Sequence, residues 1–189
     1  ELSGSAALMI KVPFRAVLIS LIAVVAVGGL VVPNLQNGPT KNNSNPNIST
    51  NGACTKQGTT LIVDFGKESN LAPIQKCVVA NELSGWQFLQ HAGLQVAGTS
   101  EYPNSFVCRI NDWPSQKVED CAGTPGLVGG SWVYFYSKPG SDGWLRSPVG
   151  AATRKPICGE VEGWLFVNQL TDDKKFAMPT ITPRPFICR

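Results

Sequence analysis

The chain has 189 residues, a formal net charge of +3 and a charged fraction of only 15%, against roughly 25% in ordinary soluble domains. That length suits one domain with additional segments. So small and scattered a charge, with no Lys/Arg stripe interleaved with aromatics, argues against a nucleic-acid partner.

The first feature in chain order is an uncharged apolar block from Ala16 to Val32, preceded by Lys11 and Arg15 and followed by no cation until Lys41. Membrane-spanning helices need roughly 17–25 such residues, so the block lies at the short end of that range. The positive-inside bias places the N-terminus in the cytoplasm and everything after Val32 outside. A cleaved signal peptide with Ala26-Val27-Gly28 at its cleavage site is the competing reading. The block is long for a signal core and β-branched to its end, which favours an uncleaved signal-anchor over residues 1–32, with membrane contact through residues 16–32. Met9-Ile10-Lys11 looks like a natural start, so residues 1–8 read as an upstream extension.

Residues 33–53 are dominated by Asn, Pro, Gly, Ser and Thr and read as a linker. If flexible, a stretch of this length reaches roughly 25 Å. Asn42-Asn43-Ser44 and Asn47-Ile48-Ser49 fit the glycosylation sequon, although Asn-rich linkers generate such matches by chance.

From residue 54 the pattern changes to that of a folded domain, expected over 54–169. Thr59 to Phe65 is rich in β-branched residues and ends at Gly66, a strand. Ile74 to Ala80 makes a second strand. Ser84 and Gln87 form a capping box that starts a short helix carrying Leu83, Trp86, Leu89 and Ala92 near one face, with Phe88 on a flank, and Gly93 stops it. Further strands are expected at Leu94–Gly98, Ser105–Ile110, Ser131–Ser137, Gly143–Arg146 and Glu160–Val167. In Ser131–Ser137, alternation puts Trp132, Tyr134 and Tyr136 on one face and Val133 and Phe135 on the other. This order predicts an α+β fold, one helix across a mixed or antiparallel sheet. The tail over 170–189 carries Pro179, Pro183 and Pro185 and is expected to be irregular.

All six cysteines, Cys54, Cys77, Cys108, Cys121, Cys158 and Cys188, follow the apolar block. An even number in an exported segment reads as disulfides. With no Cys-x-x-Cys and His91 as the single histidine, zinc spacing is absent and no metal or cofactor is expected. If the first two strands pair as a hairpin, Cys54 and Cys77 meet. A Cys108–Cys121 bridge would staple the intervening polar loop, which leaves Cys158 for Cys188.

Catalysis needs a constellation, and none emerges. His91 stands alone on the helix. Glu160 and Glu162 share a strand face and read as solvated. No nucleophile elbow, phosphate loop or zinc-protease motif is present, so a non-enzyme is expected. The unusual content is aromatic: Trp113, Trp132, Tyr134, Tyr136 and Trp144 are the candidate ligand-binding residues, because aromatic faces suit a flat ligand or a protein hot spot. Half-burial against the helix is the competing explanation for the strand residues. Trp113 and Trp144 lie in turn-rich polar contexts, where function concentrates.

Taken in series, VDFG at 63–66, Cys77, SGWQFLQHAGLQVAGT at 84–99, SFVCRINDWP at 105–114, Cys121-Ala-Gly-Thr-Pro, SWVYFY at 131–136, GWLRSPVGAA at 143–152 and GEVEGWLF at 159–166 resemble a group of actinobacterial exported proteins. These in turn look like the carboxy-terminal, β-grasp-like domain of transcobalamin and intrinsic factor. The resemblance covers about Cys54 to Val167. It implies Cys54–Cys77 and Cys108–Cys121 bridges, with Cys158 and Cys188 as additions. It also implies a role in capturing a small ligand such as a corrinoid for an uptake system, although the larger helical domain that completes the clamp in those proteins has no counterpart in these motifs. The expected protein is therefore an extracytoplasmic, membrane-tethered binding module, on the outer face of the cytoplasmic membrane or secreted if cleaved. The alternative is an accessory or structural module docking a membrane complex or cell-wall partner.

Overall fold

A computed structural model describes residues 48–126, 129–168 and 177–189, all within one compact unit spanning 43–189. The expected membrane block at 16–32 and both sequon asparagines lie outside the described residues. Among the described residues no helix is long and apolar enough to cross a membrane.

In chain order the elements are β1 (Ile48–Asn51), β2 (Thr59–Asp64), β3 (Ile74–Val79), α1 (Gly85–His91), β4 (Val96–Gly98), β5 (Val107–Ile110), β6 (Ser131–Ser137), β7 (Leu145–Arg146) and β8 (Val161–Val167). Six strands form one sheet in the order β1-β3-β2-β8-β6-β7, and β4 pairs with β5 separately. β2 and β8 run parallel, with Thr60 opposite Val161 and Asp64 opposite Leu165. The other pairings are antiparallel. The fold is thus α+β and disulfide-bonded, as the element pattern predicts.

β2 and β8 are buried along their whole length, because both faces of the sheet are covered. That is why their sequences read as near-continuous apolar runs rather than alternating ones. On one face Leu61, Val63, Trp132, Tyr134, Trp164 and Phe166 pack with Trp86, Phe88 and Leu89 of α1. Phe88, expected on a flank, is buried as well, since Val107 and Ile110 of β5 join the same core. On the outer face Val133, Phe135, Leu165 and Val167 form a smaller cluster with Trp144 and Ala177.

α1 starts at the predicted capping box. Ser84 Oγ accepts from Gln87 N–H and Gln87 Oε1 accepts from Ser84 N–H. Gly93, at φ +80, follows it in the left-handed conformation that ends helices. The three disulfides are Cys54–Cys77, Cys108–Cys121 and Cys158–Cys188.

Two expectations change. Residues 48–51, read as the end of the linker, form β1 on the free edge of β3, with Ile48 opposite Val79. Glu160 and Glu162, expected in solvent, are buried at 4% and 0% exposure. Arg154 reaches both of them, which is what makes the burial tolerable.

Candidate functional site

The five aromatic candidates fall in four places. Trp132 and Tyr134 point from β6 into the helix-side core. Trp132 meets Phe65 and Phe166 edge-on, at 5.7 and 5.5 Å between ring centroids. Tyr134 stacks on Trp164 at 4.1 Å. Trp113, in the turn after β5, is partly buried and edge-on to Phe166 at 5.9 Å. Tyr136, further along β6, is half-buried and carries the Arg154 guanidinium over its ring at 4.0 Å. Trp144 lies on the opposite face, against Phe135, with its Nε1 donating to Ile181 O at 3.1 Å. Gly163 makes room for it, since a Cβ there would lie 2.7 Å from the Trp144 ring. The aromatic residues therefore serve both faces of the sheet, and Trp144 is separated from Trp132 and Tyr134 by the sheet itself.

Trp132 and Tyr134 also contribute to a groove of about 450 Å³ beside β6. Its other lining residues include Phe106, Thr124, Pro125, Arg146 and Ser147. Buried aromatic rings thus meet exposed polar side chains, and the exposed Leu145 and Val149 belong to the segment that borders it. β7 and the following turn are held to β6 by Phe135–Arg146 pairing and by Ser147 N–H donating to Tyr134 O at 2.8 Å. A second cavity, about 530 Å³, lies at the carboxyl ends of β2 and β8, lined by residues that include Asp64, Lys67, Leu71, Phe166, Met178 and Thr180. Asp64 is occupied there: Oδ1 accepts from Gly66 N–H, and Oδ2 accepts from the N–H and hydroxyl of Thr180.

The charged cluster is the feature that the sequence did not signal. Arg154 Nε lies 3.1 and 3.0 Å from the two Glu162 oxygens, and Nη2 lies 2.8 Å from Glu162 Oε1 and 2.7 Å from Glu160 Oε2. The 150–154 turn delivers Arg154 to this position. Its Ala151 and Arg154 carbonyls accept from the Trp86 and Gly85 N–H groups at the start of α1, at 3.0 and 2.7 Å. Burial pushes the Glu162 carboxyl up to about 7, against the opposing pull of Arg154. The Tyr134 phenol is raised well above its usual 10, first by burial and then by the Glu162 charge, and its hydroxyl makes no hydrogen bond of ordinary geometry. Arg154 is held firmly protonated by the two carboxylates although its own burial works against the charge. Glu162 is fully shielded, and this cluster joins helix to sheet.

Among the described residues no group of His, Cys, Asp and Glu is placed to hold a metal ion. All six cysteines are bridged, so no thiol nucleophile is available in this state.

The chain matches no family model, no curated protein and no solved structure. The resemblance to transcobalamin-like domains accordingly rests on the quoted motifs alone.

Proposed function

We propose that this protein is an extracytoplasmic, membrane-tethered, non-catalytic binding module with a β-grasp-like domain, and that it takes a flat small ligand of corrinoid type into the groove beside β6. The β-grasp reading is supported by the order β2–β3 hairpin, α1, β6–β7 hairpin and β8, with β2 and β8 parallel at the centre of the sheet, β1 added at its edge and the separate β4–β5 pair inserted after α1. The location is supported by three disulfides, which persist in oxidising compartments, and by the uncharged block Ala16–Val32 as tether. The observation that carries the binding reading is the groove itself, whose wall brings Phe106 and the largely buried Trp132 and Tyr134 beside the polar Thr124, Arg146 and Ser147. Pockets that combine apolar walls with a few orienting polar groups are the usual small-molecule sites.

The test is a titration of the detergent-solubilised full chain with cobalamin, followed by tryptophan quenching and calorimetry. Saturable quenching in the micromolar range, weakened several-fold by Thr124→Ala or Ser147→Ala, is the expected result. No heat and no quenching at high micromolar cobalamin would overturn the corrinoid assignment. The exposed Leu145 and Val149, 45% and 41% exposed beside the groove, favour a second reading, a docking face for a membrane or cell-wall partner. A partner that co-purifies with the full chain and is lost on deletion of residues 1–32 supports that alternative.

A further inference from the structure

The three disulfides are not equally protected. Cys54, Cys108 and Cys121 are buried, at 4%, 2% and 6% exposure, so each of the first two bridges has a shielded half. Cys158 is exposed and Cys188 half-buried, and their neighbours Ile157 and Ile187 are 58% and 78% exposed. Exposed bridges are the ones that exchange with external thiols. One exposed isoleucine thus precedes each cysteine of this bridge.

What this bridge holds is the carboxy-terminal segment 177–189, which has no helix or strand of its own. The segment lies as a strap against the outer face of the sheet. Ala177 packs on the Val133, Phe135, Leu165 and Val167 cluster. Thr180 is tied to Asp64, Ile181 O to Trp144 Nε1 at 3.1 Å, and Phe186 N–H to Gly159 O at 3.0 Å. The last of these needs glycine: Gly159 is at φ +87, and a Cβ there would lie 2.1 Å from Phe186 O. Met178 and Thr180 also form part of the wall of the 530 Å³ cavity. Pro179 and Pro183 of the strap are buried, and Cys188 is its covalent tie near the end.

We propose that Cys158–Cys188 is a reversible latch, opened by a partner carrying a vicinal dithiol, whose opening frees the strap from the outer sheet face and the cavity it walls. A partner thiolate attacks Cys188 Sγ, forming a mixed disulfide and expelling the Cys158 thiolate. Gly58 N–H, 3.2 Å from Cys158 Sγ, stabilises that leaving group before it takes a proton from solvent. The partner's second thiolate then attacks its own sulfur in the mixed disulfide and releases Cys188 as thiolate, which is protonated in turn. The bridge gains two electrons and two protons, and the partner dithiol becomes a disulfide. Reoxidation reverses each step.

The test begins with the full chain under native conditions, graded dithiothreitol, alkylation and peptide mass spectrometry. Cys158 and Cys188 should be alkylated at no more than one-tenth of the reductant needed for the other four cysteines. A different pair opening first, or all three opening together, overturns the proposal. Hydrogen exchange on the selectively reduced wild-type chain should then be at least tenfold faster over 177–188 and unchanged over 59–64. Unchanged exchange in the strap overturns it, because the remaining contacts would then suffice. With thioredoxin as the vicinal-dithiol probe, Ile157→Ser together with Ile187→Ser should slow reduction several-fold while leaving the dithiothreitol rate unchanged. Equal effects on both rates would overturn the role of the two isoleucines as a partner contact.

Discussion

Replacing Arg154 by Met tests the buried charge cluster, and its cost should depend on pH in a definite direction. Arg154 is the cation that faces Glu160 and Glu162, at 2.7 and 2.8 Å. Removing one partner of a buried ion pair leaves a charge without compensation and costs about 3–5 kcal/mol. The share of that cost that belongs to Glu162 applies only while Glu162 is ionised. Its carboxyl is raised from 4.5 to about 7 in the fold, equivalent to about 3 kcal/mol. Between those values the folded chain binds more protons than the unfolded one. The stabilisation from this proton uptake is therefore complete below pH 4.5 and is lost as pH rises through about 7. At pH 5 Glu162 is neutral with or without Arg154. Arg154→Met should then cost the cation–π contact with Tyr136 and the charged contact to the buried Glu160, about 2–4 kcal/mol. From pH 5 to pH 8 the cost should rise by at most about 1.4 kcal/mol, because pH 8 is only about one unit above the wild-type Glu162 value and the carboxyl left without Arg154 stays protonated. Urea unfolding followed by tryptophan fluorescence at both pH values measures the difference. A cost that is the same at both, or below about 1 kcal/mol at pH 8, would refute the assignment of Glu162 as the buried ionised partner.

Three further outcomes follow from packing and linkage. Glu162→Gln should remove the wild-type fall in stability between pH 5 and pH 7, read from the same urea curves; an unaltered slope would assign that proton to another group. Gly163→Ala drives a methyl into the Trp144 ring, 2.7 Å away, and should cost about 1–3 kcal/mol with a shift in tryptophan emission. Ser84→Ala removes the N-cap acceptor for Gln87 N–H and should cost about 1 kcal/mol, seen as a lowered urea midpoint.

Local chemistry made much of this fold legible. β6 matches its expected bounds because Trp132, Tyr134 and Tyr136 alternate with Val133 and Phe135, and the helix start matches because the capping box is a local hydrogen-bond pattern. Cys54–Cys77 followed from the expected pairing of the first two strands, Cys108–Cys121 from the polar loop it staples, and Cys158–Cys188 as the remaining pair. β1 was not legible: Ile-Ser-Thr-Asn carries no apolar alternation, and it is a strand only because the edge of β3 is free to pair. The buried glutamates were not legible either. Carboxylates on a strand are ordinarily solvated, and the residue that reverses this, Arg154, lies in a turn with no signal of its own. The aromatic candidates were recognisable as a group, yet alternation alone could not tell that one face would pack under α1 while Trp144 settles on the other side.

The parallel pairing of β2 with β8 sets the order in which this chain can become stable. Thr60 must meet Val161, and until it does β2 has only the β3 hairpin beside it. Contacts so distant in sequence are slow to form, because a long loop must close before any contact rewards it. During synthesis the apolar run Leu61-Ile62-Val63 therefore waits, unshielded on one edge, until nearly the whole domain has left the ribosome. A fragment ending before Val161 should be a client for chaperones rather than a smaller version of the domain.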